Sequence, residues 1–182
     1  MKLQSSELLK ELSALTLQHA EFAQQIFSLP DATLQQRPGP DSWNALECIE
    51  HLNRYGHFYL PEIEKRLQQY QGGAAPGFRS GLLGNYFAKT MWPKEKLNKM
   101  KTFRAMNPSN TPVDRNVIEV FIDQQQTMLK LLKRCTHADL NKIKTSVSIS
   151  AFIKLRLGDS LRVVIYHNER HIRQAKKAMA LT

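Results

Sequence analysis

The stretch YHNERH, residues 166–171, places two histidines four residues apart near the end of the chain. On an α-helix this spacing stacks His167 and His171 on one face, with their Cβ atoms roughly 5–6 Å apart. The apolar residues within about 60° of the pair, at 100° per residue, are Val163, Val164, Ala175 and Ala178. The spacing predicts an inward-facing histidine pair, and two imidazoles so placed can bind one metal ion.

Three other segments show the three- and four-residue apolar periodicity of long helices. The four expected helices cover residues 4–29, 43–70, 113–135 and 158 to about 180. Four long helices without a run of strands indicate an all-α fold, a four-helix bundle. The length of 182 residues suits a single domain over residues 1–182.

Local signals predict where these helices begin and bend. Asp41 or Ser42 is the expected N-cap of the second helix, and Asp159 is the expected N-cap of the last. Pro61 lies deep within the second helix and predicts a kink or a break there.

The third helix carries an apolar set and a polar run. Its predicted inward set is Val117, Val120, Phe121, Leu129 and Leu132. Asp123 and the glutamine run 124–126 are expected to face solvent.

Residues 71–112 form a long irregular insertion between the second and third helices. Glycine and proline clusters predict loops, with one short helix from Leu82 to Met91 that packs Phe87 and Trp92 inward. A connection of this length often lies over a functional pocket; a peripheral flap or a dimer contact is the alternative. Residues 143–157 are expected to form an irregular connector that allows a short extended piece.

Composition points to a cytoplasmic protein. No apolar run approaches the roughly 18 residues of a membrane span, and the N-terminus lacks the apolar core of a signal peptide. Cys48 and Cys135 fall in helical patterns and form no CxxC motif. We expect both to be free, buried thiols in a reducing compartment.

The net charge of +10 is unevenly distributed. Residues 1–93 hold 8 Lys and Arg against 9 Asp and Glu, whereas residues 94–182 hold 18 against 7. Such an excess attracts anions, such as nucleic acid or a small anionic cosubstrate. The positive charges are scattered and no helix-turn-helix signature accompanies them, which favours a solvated basic surface over nucleic-acid binding.

A histidine pair needs a third donor to make a metal site with an open position. His51 is the best candidate because it lies at the edge of the wide apolar face of the second helix. His19, on the inward face of the first helix, and His57 compete with it, as do the carboxylates. By spacing alone the third ligand remains open.

Paired motifs resemble a known family. Trp43 at the opening of the second helix, ECIEHL at residues 47–52 and YHNERHIRQ at residues 166–174 look like the DinB/YfiT-like superfamily. The resemblance implies a four-helix bundle, commonly dimeric, with a divalent metal that is often zinc or nickel. It assigns the ligands to His51, His167 and His171.

The resemblance also implies a class of chemistry. Relatives include proteins described as metal-dependent hydrolases and enzymes that use a low-molecular-weight thiol, such as bacillithiol, mycothiol or glutathione, in transfer or isomerisation. We expect a small-molecule substrate, with water or a thiol activated by the metal. Glu50 is a possible acid or base, and Gln174 could orient water or substrate or make a hydrogen bond behind the ligands.

A non-catalytic helical bundle is the alternative. Its histidines would bind metal structurally or bind nothing. This hypothesis predicts a pocket that is closed or filled by side chains from residues 78–106.

Overall fold

The structure, a computed structural model, describes residues 1–93, 102–109 and 111–180, except for the side chain of Ala151. Its helices are α1 (Ser5–Phe27), α2 (Asp31–Leu34), α3 (Ala45–Gln68), α4 (Leu82–Met91), α5 (Asn116–Cys135) and α6 (Leu157–Ala178), with a 3₁₀ turn at Arg104–Met106. Its strands are β1 (Lys2–Gln4), β2 (Gly77–Arg79), β3 (Lys144–Val147) and β4 (Ser150–Arg156). The described chain is mostly helical, as the periodicity predicts.

The four long helices cover one another's apolar faces. α1 packs against α5 and α6, and α3 packs against the same two helices. A helix with apolar residues every three or four positions buries them only when neighbouring helices cover that side. None of the helices in the described ranges has the length and hydropathy needed to cross a bilayer.

Buried apolar side chains form two clusters, and the boundary between them crosses α6. Tyr166 belongs to the first cluster and Ile172 to the second. The interval between these two residues contains His167 and His171. The histidine pair therefore lies where the two apolar clusters meet.

Two small antiparallel sheets accompany the helices, and one of them lies where a short extended piece was allowed. Leu3 of β1 lies opposite Phe78 of β2, and Thr145 of β3 lies opposite Leu155 of β4. The β3–β4 hairpin occupies most of the region expected to be an irregular connector. Its register shifts within β3, which weakens the two-residue alternation, and β1 and β2 are too short to show any periodicity.

The start of α3 differs from the prediction. Asn44, rather than Asp41 or Ser42, is the N-cap, and its side chain accepts the Glu47 N–H at 2.8 Å. The Glu47 carboxylate accepts the Asn44 N–H at 2.9 Å, which completes a capping box. The helix then runs through Pro61 without the predicted break. Pro61 is exposed, so water can solvate the carbonyl that loses its helical partner.

The buried face of α5 is rotated from the predicted one. Val120 is 37% exposed, whereas Gln124 and Gln125 are buried. The Gln124 side chain donates to the Asn53 carbonyl of α3 at 3.1 Å. A Cβ on Gly56 would lie 1.9 Å from Gln124 Oε1, so this glycine makes the room that lets a polar side chain enter the α3–α5 contact.

The insertion docks on the first turn of α6. Asp159, the predicted N-cap, is fully buried in that turn, and Arg156 holds the N-cap position instead. The Asp159 carboxylate accepts the Gly81 N–H at 2.8 Å and the Ser80 hydroxyl. A Cβ on Gly84 would lie 2.4 Å from Asp159 Cγ, so the start of α4 approaches Asp159 closely because residue 84 has no side chain.

The predicted α4 is present, but its two aromatic residues behave differently. Phe87 is half-buried. Trp92 is 40% exposed and lies edge-on to Tyr166, with ring centroids 4.7 Å apart, so its predicted inward packing is wrong. The part of the predicted insertion at residues 94–101 lies outside the described residues.

Candidate metal centre

Three imidazoles meet between α3 and α6. His51 comes from α3, and His167 and His171 come from successive turns of α6. Their possible ligand nitrogens all lie within 4.8 Å of one another. The three residues are 2%, 6% and 9% exposed, respectively. The structure therefore brings together, inside the protein, the three histidines that the family resemblance assigns as ligands.

One nitrogen of His51 is engaged by the insertion. Its Nδ1–H donates to the Met106 carbonyl at 2.6 Å, since a carbonyl oxygen can only accept. In a neutral ring this leaves a lone pair on Nε2. That nitrogen lies 3.2 Å from Nε2 of His167, so its lone pair faces the neighbouring ring across a short gap.

His171 has a comparable partner on its own helix. Its Nδ1–H donates to Gln174 Oε1 at 3.0 Å, which leaves the lone pair on Nε2. Partners of this kind fix the tautomer and orientation of imidazole ligands in metal sites. Gln174 thus occupies a ring-orienting position, and its predicted role toward water or substrate remains a prediction.

Burial keeps the three rings neutral. Loss of hydration lowers the pKa of His51 to about 4. Burial, followed by the charges of neighbouring groups, lowers the pKa of His167 and His171 well below 6.5. Neutral imidazole is the form that binds metal, so the rings are in the ligand-competent state at neutral pH.

The donor set fits a divalent cation. In the absence of a cation, the His51 Nε2 lone pair is satisfied only if His167 Nε2 carries a proton. When a cation is bound, the Nε2 lone pairs of His51 and His167 can both point at it. Two of the three rings have their Nδ1 protons held by oxygen acceptors. Imidazole nitrogen suits zinc and nickel, and three protein donors leave a coordination position for another ligand.

Aromatic rings line the trio. The Trp43 ring centroid lies 4.8 Å from that of His51 and 5.7 Å from that of His171. The Tyr55 ring lies 5.0 Å from His51 and 4.5 Å from His167 by the same measure. Burial, followed by nearby Tyr59, raises the pKa of Tyr55 to about 12. Its hydroxyl therefore keeps its proton at neutral pH and can donate a hydrogen bond.

Residues 102–109, here called the covering segment, lie against the trio. Besides the Met106 contact, Trp43 Nε1 donates to Ser109 Oγ at 3.0 Å. Arg54 Nη1 donates to the Asn107 carbonyl at 2.8 Å. This part of the insertion therefore lies over the site, as its length suggested, and is not a peripheral flap.

The other predicted residues lie away from the three rings. His19 is buried with its Nε2 3.2 Å from Glu169 Oε2, and it is not part of the histidine group. His57 is exposed. Glu50 pairs with Arg54 on α3, with Oε1 2.8 Å from Nε. The structure gives Glu50 an ion-pair partner, and its predicted acid–base role remains a prediction.

Comparison with known families identifies the family of this chain. The sequence model of the DinB superfamily matches residues 14–175, which include all three of them. The chain belongs to the DinB superfamily. The resemblance identified from the paired motifs is thus confirmed. No curated protein and no solved structure matches the chain. Membership of the DinB superfamily, together with the three-histidine group, is compatible with a metal site.

Sequence reasoning missed the part of this DinB-superfamily site that the covering segment provides. Met106 contributes its carbonyl, a group that every residue type carries, so no motif could reveal it. The sequence feature that draws attention to Arg54 is its spacing of four residues from Glu50. That spacing usually indicates a surface ion pair, so it does not point to the site.

Proposed function

We propose that this DinB-superfamily chain holds one divalent metal ion, zinc or nickel, on His51, His167 and His171. The observation that carries the proposal is the convergence of three buried imidazoles, with ligand nitrogens within 4.8 Å of one another. The hydrogen bonds to Met106 and Gln174 support it because each leaves a lone pair on Nε2.

The proposed reaction is hydrolysis, or transfer of a low-molecular-weight thiol to a small-molecule substrate. A bound cation supplies Lewis acidity, which favours the anionic form of water or a thiol at neutral pH. In the chain itself, the protonated Tyr55 hydroxyl can donate to a substrate oxygen beside His167. Trp43 provides an apolar wall, and the basic second half attracts carboxylates of a peptide-like thiol.

A non-catalytic metal-binding protein is the second candidate. The observation in its favour is the cover over the trio: the rings are at most 9% exposed, and the covering segment bonds directly to His51. This closure is what the non-catalytic hypothesis predicts. Catalysis would require the covering segment to move so that substrate could enter.

We also propose that α1, α3, α5 and α6 form the four-helix bundle of the family and that the chain is a homodimer. Sedimentation of the purified protein over a range of concentrations would test the second of these. A monomer at all concentrations would rule out the homodimer.

Metal analysis of untagged protein tests the site. Wild type should carry about one ion per chain, and His167→Ala should carry none. His57→Ala is the matched control, because it removes an exposed histidine of α3 outside the trio and should retain full occupancy. Equal metal content in all three proteins would overturn the proposed site.

Thiol consumption and ester hydrolysis, measured with zinc, nickel or manganese added, separate the two candidates. Metal-dependent turnover that His167→Ala abolishes supports the enzyme. Stoichiometric metal without any turnover of thiol or ester favours the non-catalytic protein.

A further inference from the structure

Arg54 connects α3 to the covering segment through two main-chain groups. Its Nη1 donates to the Asn107 carbonyl at 2.8 Å and lies 3.4 Å from the Ala105 carbonyl. The residue between them, Met106, presents its carbonyl to His51 Nδ1 at 2.6 Å. One guanidinium nitrogen therefore holds both neighbours of the group that bonds to the histidine.

Glu50 holds Arg54 in position from the other side. Its Oε1 lies 2.8 Å from Arg54 Nε, one helical turn earlier. The two side chains are each 23% exposed, so the pair is only partly screened by water. A guanidinium has a fixed planar fork of donors, and fixing its Nε at Glu50 directs Nη1 toward the covering segment.

The Met106 carbonyl has no comparable support from its own turn. The 3₁₀ turn at Arg104–Met106 is a single turn of three residues without a side-chain cap. Short 3₁₀ turns have poor hydrogen-bond geometry and little stability of their own. Among the described residues, the hydrogen bonds from α3 to this turn and to the residue after it come from Arg54 and from His51.

We propose that Arg54, oriented by Glu50, is a positioning residue: it holds the Met106 carbonyl against His51 and so keeps the His51 proton on Nδ1 and its lone pair on Nε2. The expected effect of Arg54 on Zn²⁺ affinity rests on the proposed metal site. The expected effect on the His51 tautomer rests only on the geometry of the metal-free protein. It gives Glu50 a positioning role in place of acid–base chemistry.

The chain contains a matched control pair. Arg66 and Glu62 are also four residues apart on α3, with Nε 3.0 Å from Oε1. Arg66 makes no described contact with the covering segment. Arg66→Met therefore removes the same kind of ion pair from the same helix and leaves the Met106 carbonyl in place.

The experiment compares wild type, Arg54→Met and Arg66→Met by two measurements. The first is the ¹⁵N chemical shifts of the imidazole nitrogens in metal-free protein at neutral pH, with His51 assigned from His51→Gln. The second is Zn²⁺ affinity by competition with a chromophoric chelator. Loss of a partner that orients a metal ligand typically weakens metal binding by about 10–100-fold.

We expect Arg54→Met to move His51 from the Nδ1–H form to a mixture of tautomers and to weaken Zn²⁺ binding by at least about tenfold. Arg66→Met should match wild type in both measurements. Identical His51 shifts in Arg54→Met and Arg66→Met would overturn the proposal. Wild type that binds no Zn²⁺ would refute the metal site, and the ¹⁵N measurement would still decide the role of Arg54.

Arg54→Lys is a second variant that tests the proposal if Arg54→Met does not fold. Lysine keeps the charge but lacks the planar fork, so it cannot bond to Glu50 and to the covering segment in the same geometry. We expect an intermediate fraction of the Nδ1–H form in this variant. Wild-type shifts in Arg54→Lys, with Arg54→Met unfolded, would contradict the positioning role.

Discussion

Nε2 of His51 lies 3.2 Å from Nε2 of His167, across the contact between α3 and α6. Both rings are almost completely buried. A proton added to either ring places a charge in a poorly hydrated site, close to a second imidazole that can also take up a proton. The arrangement is compatible with neutral rings or with a shared cation, and it is unfavourable for imidazolium.

Stability of the metal-free protein should therefore fall in acid. The pKa of His51 is about 4 in the folded state, against 6.5 for an unperturbed histidine. Between these values the unfolded chain binds more protons, so the free energy of unfolding decreases as pH falls. The loss should be on the order of 3 kcal/mol from His51 alone by pH 4.

Chemical denaturation between pH 7.5 and 4 measures this effect. His57→Ala, which removes an exposed histidine, should show the same dependence as wild type. In a His51→Gln variant, the free energy of unfolding should depend less steeply on pH. Stability that stays constant from pH 7 to pH 5 would contradict burial of neutral rings.

Trp43 should report metal binding. Its ring centroid lies 4.8 Å from His51 and 5.7 Å from His171, close enough for a paramagnetic ion at the trio to quench its fluorescence. The chain contains a second tryptophan, Trp92, so Trp92→Phe isolates the Trp43 signal. We expect Ni²⁺ to quench emission of Trp92→Phe in a saturable way.

The same titration has two controls. Trp43→Phe should lose the saturable quenching, and addition of a chelator to Trp92→Phe should restore the emission. Saturable quenching that persists in Trp43→Phe would place the Ni²⁺ site elsewhere.

Gly56→Ala should destabilise the α3–α5 contact. The new Cβ would lie 1.9 Å from Gln124 Oε1 and 2.4 Å from its Cδ, so the buried amide would have to leave the Asn53 carbonyl. Overpacking of this kind costs about 1–3 kcal/mol, and loss of the buried hydrogen bond adds to it. Urea unfolding gives the difference in free energy.

Gly73→Ala is the control for that measurement, because a Cβ there meets nothing within 4 Å. Its free energy of unfolding should lie within about 0.5 kcal/mol of the wild-type value, as is usual for surface substitutions. Equal stability of the two variants would show that Gln124 does not occupy the space above Gly56.

Gly84→Ala should loosen α4 from α6. Its Cβ would lie 2.4 Å from Asp159 Cγ, which displaces the carboxylate that accepts the Gly81 N–H. Amide hydrogen exchange should speed up across residues 81–91, while α3 retains its protection. Gly77→Ala, whose Cβ meets only the Leu3 carbonyl at 3.9 Å, should leave α4 unchanged; equal exchange in both variants would contradict the close approach.

The sequence predicted the long helices and the inward histidine pair because both depend on a repeated spacing. It failed where a single contact between distant segments decided the outcome. Asp159 resembles an N-cap, yet it is buried by the segment between β2 and α4, almost eighty residues earlier. Gln124 resembles a solvated residue, and only a glycine on another helix makes its burial possible. Such contacts have no local signature.

The covering segment is held to α3 by its main-chain carbonyls, and this leaves some of its side chains free to vary. Arg54 and His51 donate to carbonyls of the segment, a group that every amino acid supplies. Arg104 and Ala105 are exposed, and no described bond to the trio uses their side chains. The side chains at these two positions can therefore be changed to acidic, basic or apolar ones without removing the main-chain carbonyls that hold the segment against the imidazoles.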